Sequence, residues 1–238
     1  MITIGFSTRE DNPKYQQYLQ KTCMFKECQV IQKINNGDKS LSEVYNEILD
    51  ESTNDIVVFV HDDLEFDTNN WGIKLMKLFE RNPEQGIIGL AGTKYFSDNG
   101  CWWTVQGSMY GVVNHKHEGK KWTSSYSKDL GNKIEPTVIV DGLFIAVNKN
   151  NIKHAFDETI DGFHFYDLGF CLPNYLEGVP VGVTTQIRVT HLSIGQTNQQ
   201  WEDNRVKFAE KYKESLPIDI SPKDLSETFI FCHDQDLI

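Results

Sequence analysis

Two hydrophobic periods alternate along the first half of the chain. Residues 55–60 form a continuous β-branched and aromatic run, which is typical of a strand buried on both faces. Before it, apolar residues recur at helical spacing from Leu41 to Leu49, after a capping box formed by Ser40 and Glu43. By the same criteria we predict strands at 2–7, 28–34, 55–60 and 86–92, and helices that begin at Pro13, Leu41 and Trp71. This alternation predicts βαβ units and a mixed, mostly parallel central sheet flanked by helices, which is the α/β class.

The pattern changes beyond residue 100. Residues 100–130 are rich in Gly, Ser, Trp and Lys and have weak periodicity, which predicts loops and short antiparallel strands. Strong strand patterns return at 136–147, where Asp141-Gly142 interrupts the run, and at 181–192. Residues 201–214 have the spacing of a terminal amphipathic helix. Because no long linker divides the chain, we expect one domain with a C-terminal extension.

Composition narrows the classes of function. A hydrophobic fraction of 39%, with 12% aromatic residues, is enough to build a folded core. The chain has 23 basic and 34 acidic residues, a formal net charge of −11, so we expect no nucleic-acid partner. No stretch approaches the roughly eighteen apolar residues of a membrane span. We therefore expect no transmembrane segment and at most a peripheral association with a membrane.

The first residues and the cysteines indicate a compartment. Residues 1–6 look like the start of a strand and carry no basic leader, so we expect no signal peptide. The five cysteines include no Cys-x-x-Cys pair, which argues against a zinc ribbon and against a disulfide framework. Free thiols are typical of a reducing compartment. We therefore expect a cytoplasmic protein.

The sharpest chemical signal is the sequence His61-Asp62-Asp63, which ends an otherwise apolar central strand. In open α/β sheets, ligands collect at the carboxyl ends of the strands. Adjacent carboxylates repel each other there, and a hard divalent cation with oxygen ligands relieves that repulsion most simply. The motif predicts a metal site; the alternative is a solvated acidic turn that caps the next helix.

Residues 38–63 resemble the GT-A-fold glycosyltransferases, in particular the family-2-like bacterial nucleotide-sugar transferases. Those proteins have a serine-rich helix start with an asparagine on the helix, then an apolar strand, then a D-x-D-like motif. The counterparts in this chain are Ser40, Ser42, Asn46, residues 55–60 and residues 61–63. His61 stands where the family has its first aspartate, whereas Asp63 matches the residue that holds the metal between the diphosphate oxygens.

A second block carries the same resemblance. Residues 141–147 look like the family's small-residue strand under the acceptor site. Tyr166-Asp167 matches a Glu-Asp pair that opens a helix in the family, with Tyr166 in place of the glutamate. His191 matches a strand-end histidine that completes the metal coordination in several of these enzymes. The resemblance covers residues 1–195, so we predict a GT-A domain there and a helical extension and tail, residues 196–238, in the same domain.

The resemblance implies a metal-dependent enzyme that moves a sugar from a nucleotide-diphosphate sugar to a carbohydrate or lipid-linked glycan acceptor. It implies inversion at the transferred sugar and a place in bacterial surface-glycan or capsule biosynthesis. The implied metal ligands are Asp63, His61 and His191, and the implied catalytic base is Asp167, which would take the proton of the acceptor hydroxyl. The cofactor is Mn²⁺ or Mg²⁺, and carboxylate, imidazole and phosphate ligands suit Mn²⁺ in particular.

Further residues are expected around these groups. The predicted contacts to the donor nucleotide are Thr8, Arg9, Glu10, Asn35, Asp38, Lys39, Asn46 and Asp62. The predicted contacts to the acceptor are Trp102, Trp103, Asp141, Gly142, His164 and Tyr166. Of the two tryptophans, we expect one to stack on sugar and the other to pack in the core. The short segments 7–11 and 35–38 favour the pyrimidine of a UDP-sugar over a purine.

Other motifs receive plainer interpretations, and two other functions stay open. We expect His115 and His117 at the surface, and residues 232–234 in a frayed tail, although the apolar residues 229–231 could dock over the active site. One alternative function is a non-catalytic nucleotide- or sugar-binding module, which the departures at His61 and Tyr166 keep open. The other is a metal-dependent phosphohydrolase that uses His61-Asp62.

Overall fold

The computed structural model of the protein describes residues 1–25, 27–195 and 197–221. The predicted tail motifs at 229–231 and 232–234 lie outside the described residues. The elements are, in chain order, β1 (Ile2–Thr8), α1 (Pro13–Cys23), β2 (Gln29–Ile34), α2 (Leu41–Glu51), β3 (Ile56–Val60), β4 (Leu64–Phe66), α3 (Trp71–Arg81), β5 (Ile87–Gly89), β6 (Ala91–Thr93), β7 (Tyr95–Phe96), β8 (Met109–His117), β9 (Lys120–Ser125), β10 (Glu135–Pro136), β11 (Ile139–Val140), β12 (Phe144–Asn148), α4 (Tyr166–Leu176), β13 (Val181–Val183), β14 (Val189–His191), α5 (Gln199–Tyr212) and β15 (Ile218–Asp219).

The central sheet has seven strands in the order β10-β13-β5-β12-β3-β1-β2. The pairs β1–β2, β1–β3 and β5–β13 are parallel, whereas β12 runs antiparallel to both β3 and β5, and β10 runs antiparallel to β13. The mixed α/β architecture is confirmed, with a smaller share of parallel pairs than the alternating pattern predicts. The cause is β12, which inserts antiparallel between two parallel groups.

The core lies on both faces of β3, all five residues of which are buried. On one side, Tyr45 of α2 packs against Phe59 with ring centroids 4.8 Å apart. Phe156 contacts Phe59 at 4.9 Å and stacks on Phe170 of α4 at 4.2 Å. These contacts join α2, β3 and α4 into one apolar layer, so the end of β3 and the start of α4 are held at a common edge of the molecule.

The predicted capping box of α2 is confirmed. The Ser40 hydroxyl accepts a hydrogen bond from the Glu43 backbone N–H at 3.2 Å, and the Glu43 carboxylate accepts one from the Ser40 N–H at 2.7 Å. Two N–H groups at the helix start are satisfied in this way. The cap sets where α2 begins, and therefore which of its residues face the sheet.

A second sheet contains β11-β6-β8-β14-β4, with β9 paired to β8. Three apolar runs that the sequence predicts as strands are divided further: 86–92 becomes β5 and β6, 136–147 becomes β10, β11 and β12, and 181–192 becomes β13 and β14. The break between β11 and β12 lies at the predicted interruption, Asp141-Gly142. Glycine permits the crossing near residue 90, because a Cβ on Gly89 would lie 2.4 Å from Val140 Cβ, and one on Gly92 would lie 2.3 Å from the Ile139 carbonyl oxygen. Close backbone approach of β11 therefore decides where this run bends.

Residues 100–130 are more regular than predicted. Strands β8 and β9 form an antiparallel hairpin in which Val112 pairs with Ser125 and His117 with Lys120. Strand β8 also pairs in parallel with β14, so that His115 lies beside His191. This long-range pairing builds one wall of the site described below.

The predicted C-terminal amphipathic helix is confirmed as α5. Phe208 on this helix is buried against Phe96 and Phe165, with ring centroids 5.9 and 5.6 Å apart. The helix therefore shares the core of the preceding residues. Among the described residues, none of the helices combines the length and the apolar character that crossing a membrane requires.

Candidate active site

Two strand ends from different sheets meet at the candidate site. Strand β3 ends at Val60, and His61, Asp62 and Asp63 follow directly. Strand β14 ends at His191, which pairs with Leu64 of the antiparallel strand β4. This register brings His191 next to Asp63, although the two residues are 128 positions apart in the sequence. The topology thus assembles a histidine–aspartate–histidine group from two distant segments.

His61, Asp63 and His191 offer nitrogen and carboxylate oxygen atoms that all lie within 4.8 Å of one another. His191 Nε2 is 3.3 Å from Asp63 Oδ1, and His61 Nδ1 is 4.0 Å from the same oxygen. Their side chains are 12 to 32% exposed, so the group is sheltered but reachable. Two imidazoles and one carboxylate fit a divalent transition metal. The remaining coordination positions of the metal would be open to oxygen atoms of the predicted donor substrate.

Ionisation in this group follows from burial and mutual contact. Burial by itself raises the pKa of Asp63, but the hydrogen bond from His191 and its charge outweigh burial and hold the pKa at about 2. Burial by itself lowers the pKa of His191, and the hydrogen bond and charge of Asp63 outweigh it, so that the pKa is raised. Burial, and then the charge of His191, lower the pKa of His61. Asp63 is therefore a carboxylate at neutral pH, and His61 is a neutral imidazole.

Tyr166 holds the second nitrogen of His61. Its hydroxyl lies 2.7 Å from His61 Nε2, and its ring is buried against Tyr45. This contact leaves Nδ1 as the His61 nitrogen that faces Asp63, in the way that outer hydrogen bonds orient metal-binding histidines. In the structure the Tyr166 hydroxyl orients His61, and its predicted contact with acceptor stays a prediction.

Gly142 has a steric role in the same arrangement. A Cβ at this position would lie 2.1 Å from the Tyr166 hydroxyl oxygen, so a side chain here would push the phenol away from His61. Gly142 is buried and has this packing requirement, and its predicted contact with acceptor stays a prediction. The neighbouring Leu143 carbonyl accepts a hydrogen bond from the His61 backbone N–H at 3.1 Å.

Asp167 lies in the first turn of α4, after Phe165, which adopts a left-handed conformation with φ of 67°. Its Oδ2 accepts a hydrogen bond from the Gly142 N–H, and its Oδ1 accepts one from the Leu168 N–H, both at 2.9 Å. Burial, and then the negative charge of Asp141, raise the pKa of Asp167 to about 7, against the opposing effect of these hydrogen bonds. A carboxylate with this pKa can accept a proton near neutral pH.

Asp141 is the negative charge shared by the two halves of the site. Its Oδ1 accepts a hydrogen bond from the Leu143 N–H at 3.0 Å, which fixes the turn between β11 and β12. Its negative charge acts to raise the pKa of His61, His191 and Asp167. The turn at 141–143 therefore links the metal-binding group to Asp167, and the predicted contact of Asp141 with acceptor stays a prediction.

The predicted donor contacts begin at the adjacent ends of β1 and β2. The Asn35 N–H donates to the Thr8 carbonyl at 2.8 Å, so both residues lie at one corner of the central sheet. The Asn35 side chain accepts from the Gly37 and Lys39 N–H groups and donates to the Lys39 carbonyl, which makes it the organiser of this turn. Arg9, Glu10 and Asp38 are exposed around the same corner, where nucleotide contacts stay predictions.

Three other residues with predicted donor contacts have different surroundings in the structure. Lys39 forms an ion pair with Glu47 of α2. The Asn46 amide accepts from the Phe156 N–H at 2.8 Å and donates to the Phe156 carbonyl at 2.9 Å. Asn46 therefore ties α2 to the loop before α4, and its predicted contact with the nucleotide stays a prediction. Asp62 is exposed beside the metal-binding group, and its contact with donor stays a prediction.

On the acceptor side the two tryptophans differ as expected in burial. Trp102 is 5% exposed and packs in the core, whereas Trp103 is 37% exposed. His164 is half-buried just before α4, and burial lowers its pKa against the opposing effect of a hydrogen bond with Asn198. Both Trp103 and His164 thus remain available for a ligand, and their contact with acceptor stays a prediction.

Two residues that contact the metal-binding group have no special signal in the sequence. The Tyr15 hydroxyl donates to the His61 carbonyl at 2.8 Å and contacts the Leu64 carbonyl at 3.2 Å, which clamps the turn after β3. In the sequence, Tyr15 belongs only to the apolar stripe of α1. The Ser193 hydroxyl lies 3.1 Å from His191 Nε2.

His115 corrects a sequence prediction, since it is half-buried and not a surface residue. Its ring stacks on Trp122 at 5.0 Å and lies 6.0 Å from the His191 ring. Burial, and then the charge of His191, lower its pKa. The alternation along β8 could have indicated which residues share a face, but only the pairing with β14 shows that His115 borders the site. His117, by contrast, lies at the hairpin end beside Glu118.

Comparison with known proteins identifies the family and the fold. The model of a glycosyltransferase-like family matches residues 9–212, which include every residue of the candidate site except Thr8. No curated protein matches the sequence. Two solved structures that resemble the chain are a crystal structure of GalNAc-T7 with UDP, GalNAc and Mn²⁺ and one of A197 from STIV.

The first likeness has a TM-score of 0.59 at 8% identity and covers 88% of this chain and 47% of the GalNAc-T7 chain, so this protein spans about half of that transferase. The second has a TM-score of 0.46 at 10% identity and covers 81% of this chain and 86% of the other. The family match extends beyond residue 195, through α5. The chain therefore belongs to the glycosyltransferase-like family and has the GT-A fold.

Proposed function

We propose that this protein transfers a sugar from a UDP-sugar to a hydroxyl group of a carbohydrate acceptor, with inversion. The observation that carries the proposal is the convergence of His61, Asp63 and His191 with Asp167 around the turn at 141–143, in a chain of this family. Metal binding is thereby assigned to the two histidines and Asp63, and proton transfer to Asp167, on either side of the same turn.

His61, Asp63 and His191 would hold a divalent cation, with Mn²⁺ favoured. Such a cation would stabilise the negative charge of the leaving diphosphate. The structure supports this assignment by the donor set and by the Tyr166 and Tyr15 contacts that hold the ligands in place. The similar GalNAc-T7 was crystallised with UDP and Mn²⁺, which agrees with a uridine donor and this ion.

Asp167 would act as the general base. In an inverting transfer the acceptor hydroxyl attacks the sugar carbon from the face opposite the diphosphate and loses its proton as the new bond forms. Asp167 lies on α4, a different segment from the metal-binding group, and its pKa of about 7 lets it hold that proton. The fixed hydrogen bonds from Gly142 and Leu168 orient its carboxylate before the acceptor arrives.

The biological setting follows from the resemblance of the motifs to bacterial transferases. We infer that the acceptor is a free or lipid-linked glycan of a bacterial surface polysaccharide, such as a capsule, and that transfer occurs in the cytoplasm or on its membrane face. The phosphohydrolase alternative is weakened, because such His-Asp pairs usually lie on helices and this one follows β3.

Calorimetry of UDP binding tests the proposal. Wild-type protein should bind UDP with Mn²⁺ and lose that binding in excess EDTA. Asp63→Ala should abolish Mn²⁺-dependent binding, and His191→Ala should weaken it less. Asp50→Ala is the matched control, since Asp50 is an exposed acid on α2. UDP affinity that is unchanged by EDTA would exclude the metal assignment.

Hydrolysis of a UDP-sugar, measured with and without Mn²⁺, separates a catalyst from a non-catalytic module. A transferase is expected to release UDP slowly to water when no acceptor is present. Binding of UDP without turnover of any sugar donor, with or without acceptor, would favour the non-catalytic module.

A further inference from the structure

A continuous row of aromatic rings borders the candidate active site. The centroid distances are 6.0 Å from Tyr126 to Trp102, 5.8 Å from Trp102 to Trp103, 5.7 Å from Trp103 to Trp201 and 5.5 Å from Trp201 to Phe165. The five residues come from four separate parts of the chain: the loop before β8, the segment after β9, the residue before α4, and α5. Only the tertiary structure brings them into line.

The row has a buried layer and an accessible layer. Trp102 and Phe165 are 5% and 4% exposed, whereas Trp103 is 37% exposed and Trp201 is half-buried. Trp102 meets Trp103 edge-on, with an interplanar angle of 87°. The buried rings therefore fix the orientation of the accessible ones, so that a ligand could bind with little further loss of side-chain freedom.

The row reaches the proposed catalytic base at its Phe165 end. Phe165 directly precedes Tyr166 and is two residues from Asp167. A ligand lying along Trp103 and Trp201 would thus extend from the side of the site that holds the proposed base.

The chemistry of these rings selects a ligand class. Flat apolar aromatic faces pack well on the C–H faces of pyranose rings, and a tryptophan supplies the largest such face. The exposed amide of Gln200, in the first turn of α5, can supply hydrogen bonds to the hydroxyl groups of the same sugar. A row of several rings suits a chain of sugars better than a single one.

We propose that Trp103 and Trp201 form a platform that binds an oligosaccharide acceptor through sugar units beyond the one that receives the transferred sugar. This inference rests on the proposed function, and it adds the requirement that the acceptor be an extended glycan. Trp103 and Trp201 are binding residues here and have no part in the chemistry at Asp167.

Glycan binding by the full-length chain, with UDP and Mn²⁺ present, tests the platform. The probe is an array of defined monosaccharides and oligosaccharides, followed by titration of the best ligand. Trp103→Ala and Trp201→Ala should each raise its Kd by about three- to tenfold, the value of one aromatic contact. Trp201→Phe should retain part of the affinity. Val206→Ala, at a 53% exposed apolar position on the same helix, is the control and should leave the Kd unchanged.

The result is separable from a failure of the proposed function. UDP binding should be equal in all these variants, which also shows that they fold. If wild-type protein binds UDP with Mn²⁺ but no glycan, or if glycan binding is indifferent to both alanine substitutions, the platform is wrong and the transferase proposal stands. Absence of UDP binding by wild-type protein counts against the proposed function itself. Loss of self-association in the variants, with glycan affinity unchanged, would assign the surface to a second copy and overturn the proposal.

Discussion

The two acids of the candidate site are driven to opposite ionisation behaviour by their neighbours. Contact with His191 holds the pKa of Asp63 at about 2, whereas burial and Asp141 raise the pKa of Asp167 to about 7. Carboxyl groups pushed apart in this way commonly divide the roles of permanent charge and proton acceptor. The difference arises from position in the fold, since the two side chains are chemically identical.

The raised pKa of Asp167 predicts a pH dependence. A general base acts only when deprotonated, so kcat/KM for transfer should fall as the pH drops through about 7. Asp141→Asn removes one cause of the raised pKa, and it should move this acid limb to lower pH. The measurement is a pH–rate profile for both proteins at saturating Mn²⁺. A profile whose acid limb does not move in Asp141→Asn contradicts the electrostatic argument.

Asp167→Asn tests the base directly. The amide keeps the shape of the carboxyl group but cannot accept the acceptor's proton, so kcat should fall by about 10²- to 10⁴-fold. UDP affinity should barely change, because the base acts only as the acceptor attacks. Asp161→Asn is a suitable control, since Asp161 is an exposed acid in the preceding loop. Transfer within a few-fold of wild type would remove Asp167 from the mechanism, and a large loss of UDP affinity would move it to the nucleotide site.

At the scale of elements, the site depends on how closely the turn at 141–143 and α4 approach each other. Gly142→Ala should displace Tyr166 from His61, because the added Cβ would lie 2.1 Å from the phenol oxygen. Overpacking of this kind typically costs about 1–3 kcal/mol of stability. We expect a lower Tm and weaker Mn²⁺-dependent UDP binding, measured by calorimetry and thermal unfolding.

Tyr166→Phe separates packing from hydrogen bonding in the same place. It keeps the ring in the aromatic layer and removes only the contact with His61 at 2.7 Å. A typical hydrogen bond contributes about 0.5–1.5 kcal/mol, so a small loss of metal affinity is expected with little change in fold. If Gly142→Ala and wild type bind UDP equally well, the proposed orienting role of Tyr166 is wrong.

At the scale of the whole molecule, the corner formed by β1 and β2 predicts which nucleotide stabilises the fold. With Mn²⁺, UDP at about one hundred times its Kd should stabilise the native state by about 2.7 kcal/mol, which raises Tm by several degrees. The short segments 7–11 and 35–38 favour uracil, and a site built for its imide leaves polar groups unpaired against another base. GDP, TDP and CDP should therefore give smaller shifts. A shift from GDP as large as that from UDP would exclude the uridine preference and leave the transferase proposal intact.

Much of the local structure could be predicted from the sequence. Some features depend only on residues that are close together in the chain, so they can be recognised in the sequence. These are the capping box at Ser40, the buried strand at 55–60 and the C-terminal amphipathic helix. His61, Asp63 and His191 were also recognisable as a group, because their motifs resemble those of a known family. Trp102 is buried and Trp103 is exposed, which agrees with the expectation that one tryptophan packs in the core and the other is accessible.

Other features depended on contacts between distant segments. The long apolar runs bend between two sheets where Gly89 and Gly92 admit β11, and apolar composition alone does not locate such a bend. His115 enters the site only through the pairing of β8 with β14, and Trp201 joins the aromatic row only when α5 docks. Asn46 and Tyr166 have polar groups that could face ligand or protein equally well until their partners are in place. Local periodicity thus determined which segments are helices and strands and which residue types end them, whereas packing between segments decided the burial, the charges and the hydrogen bonds that set each residue's role.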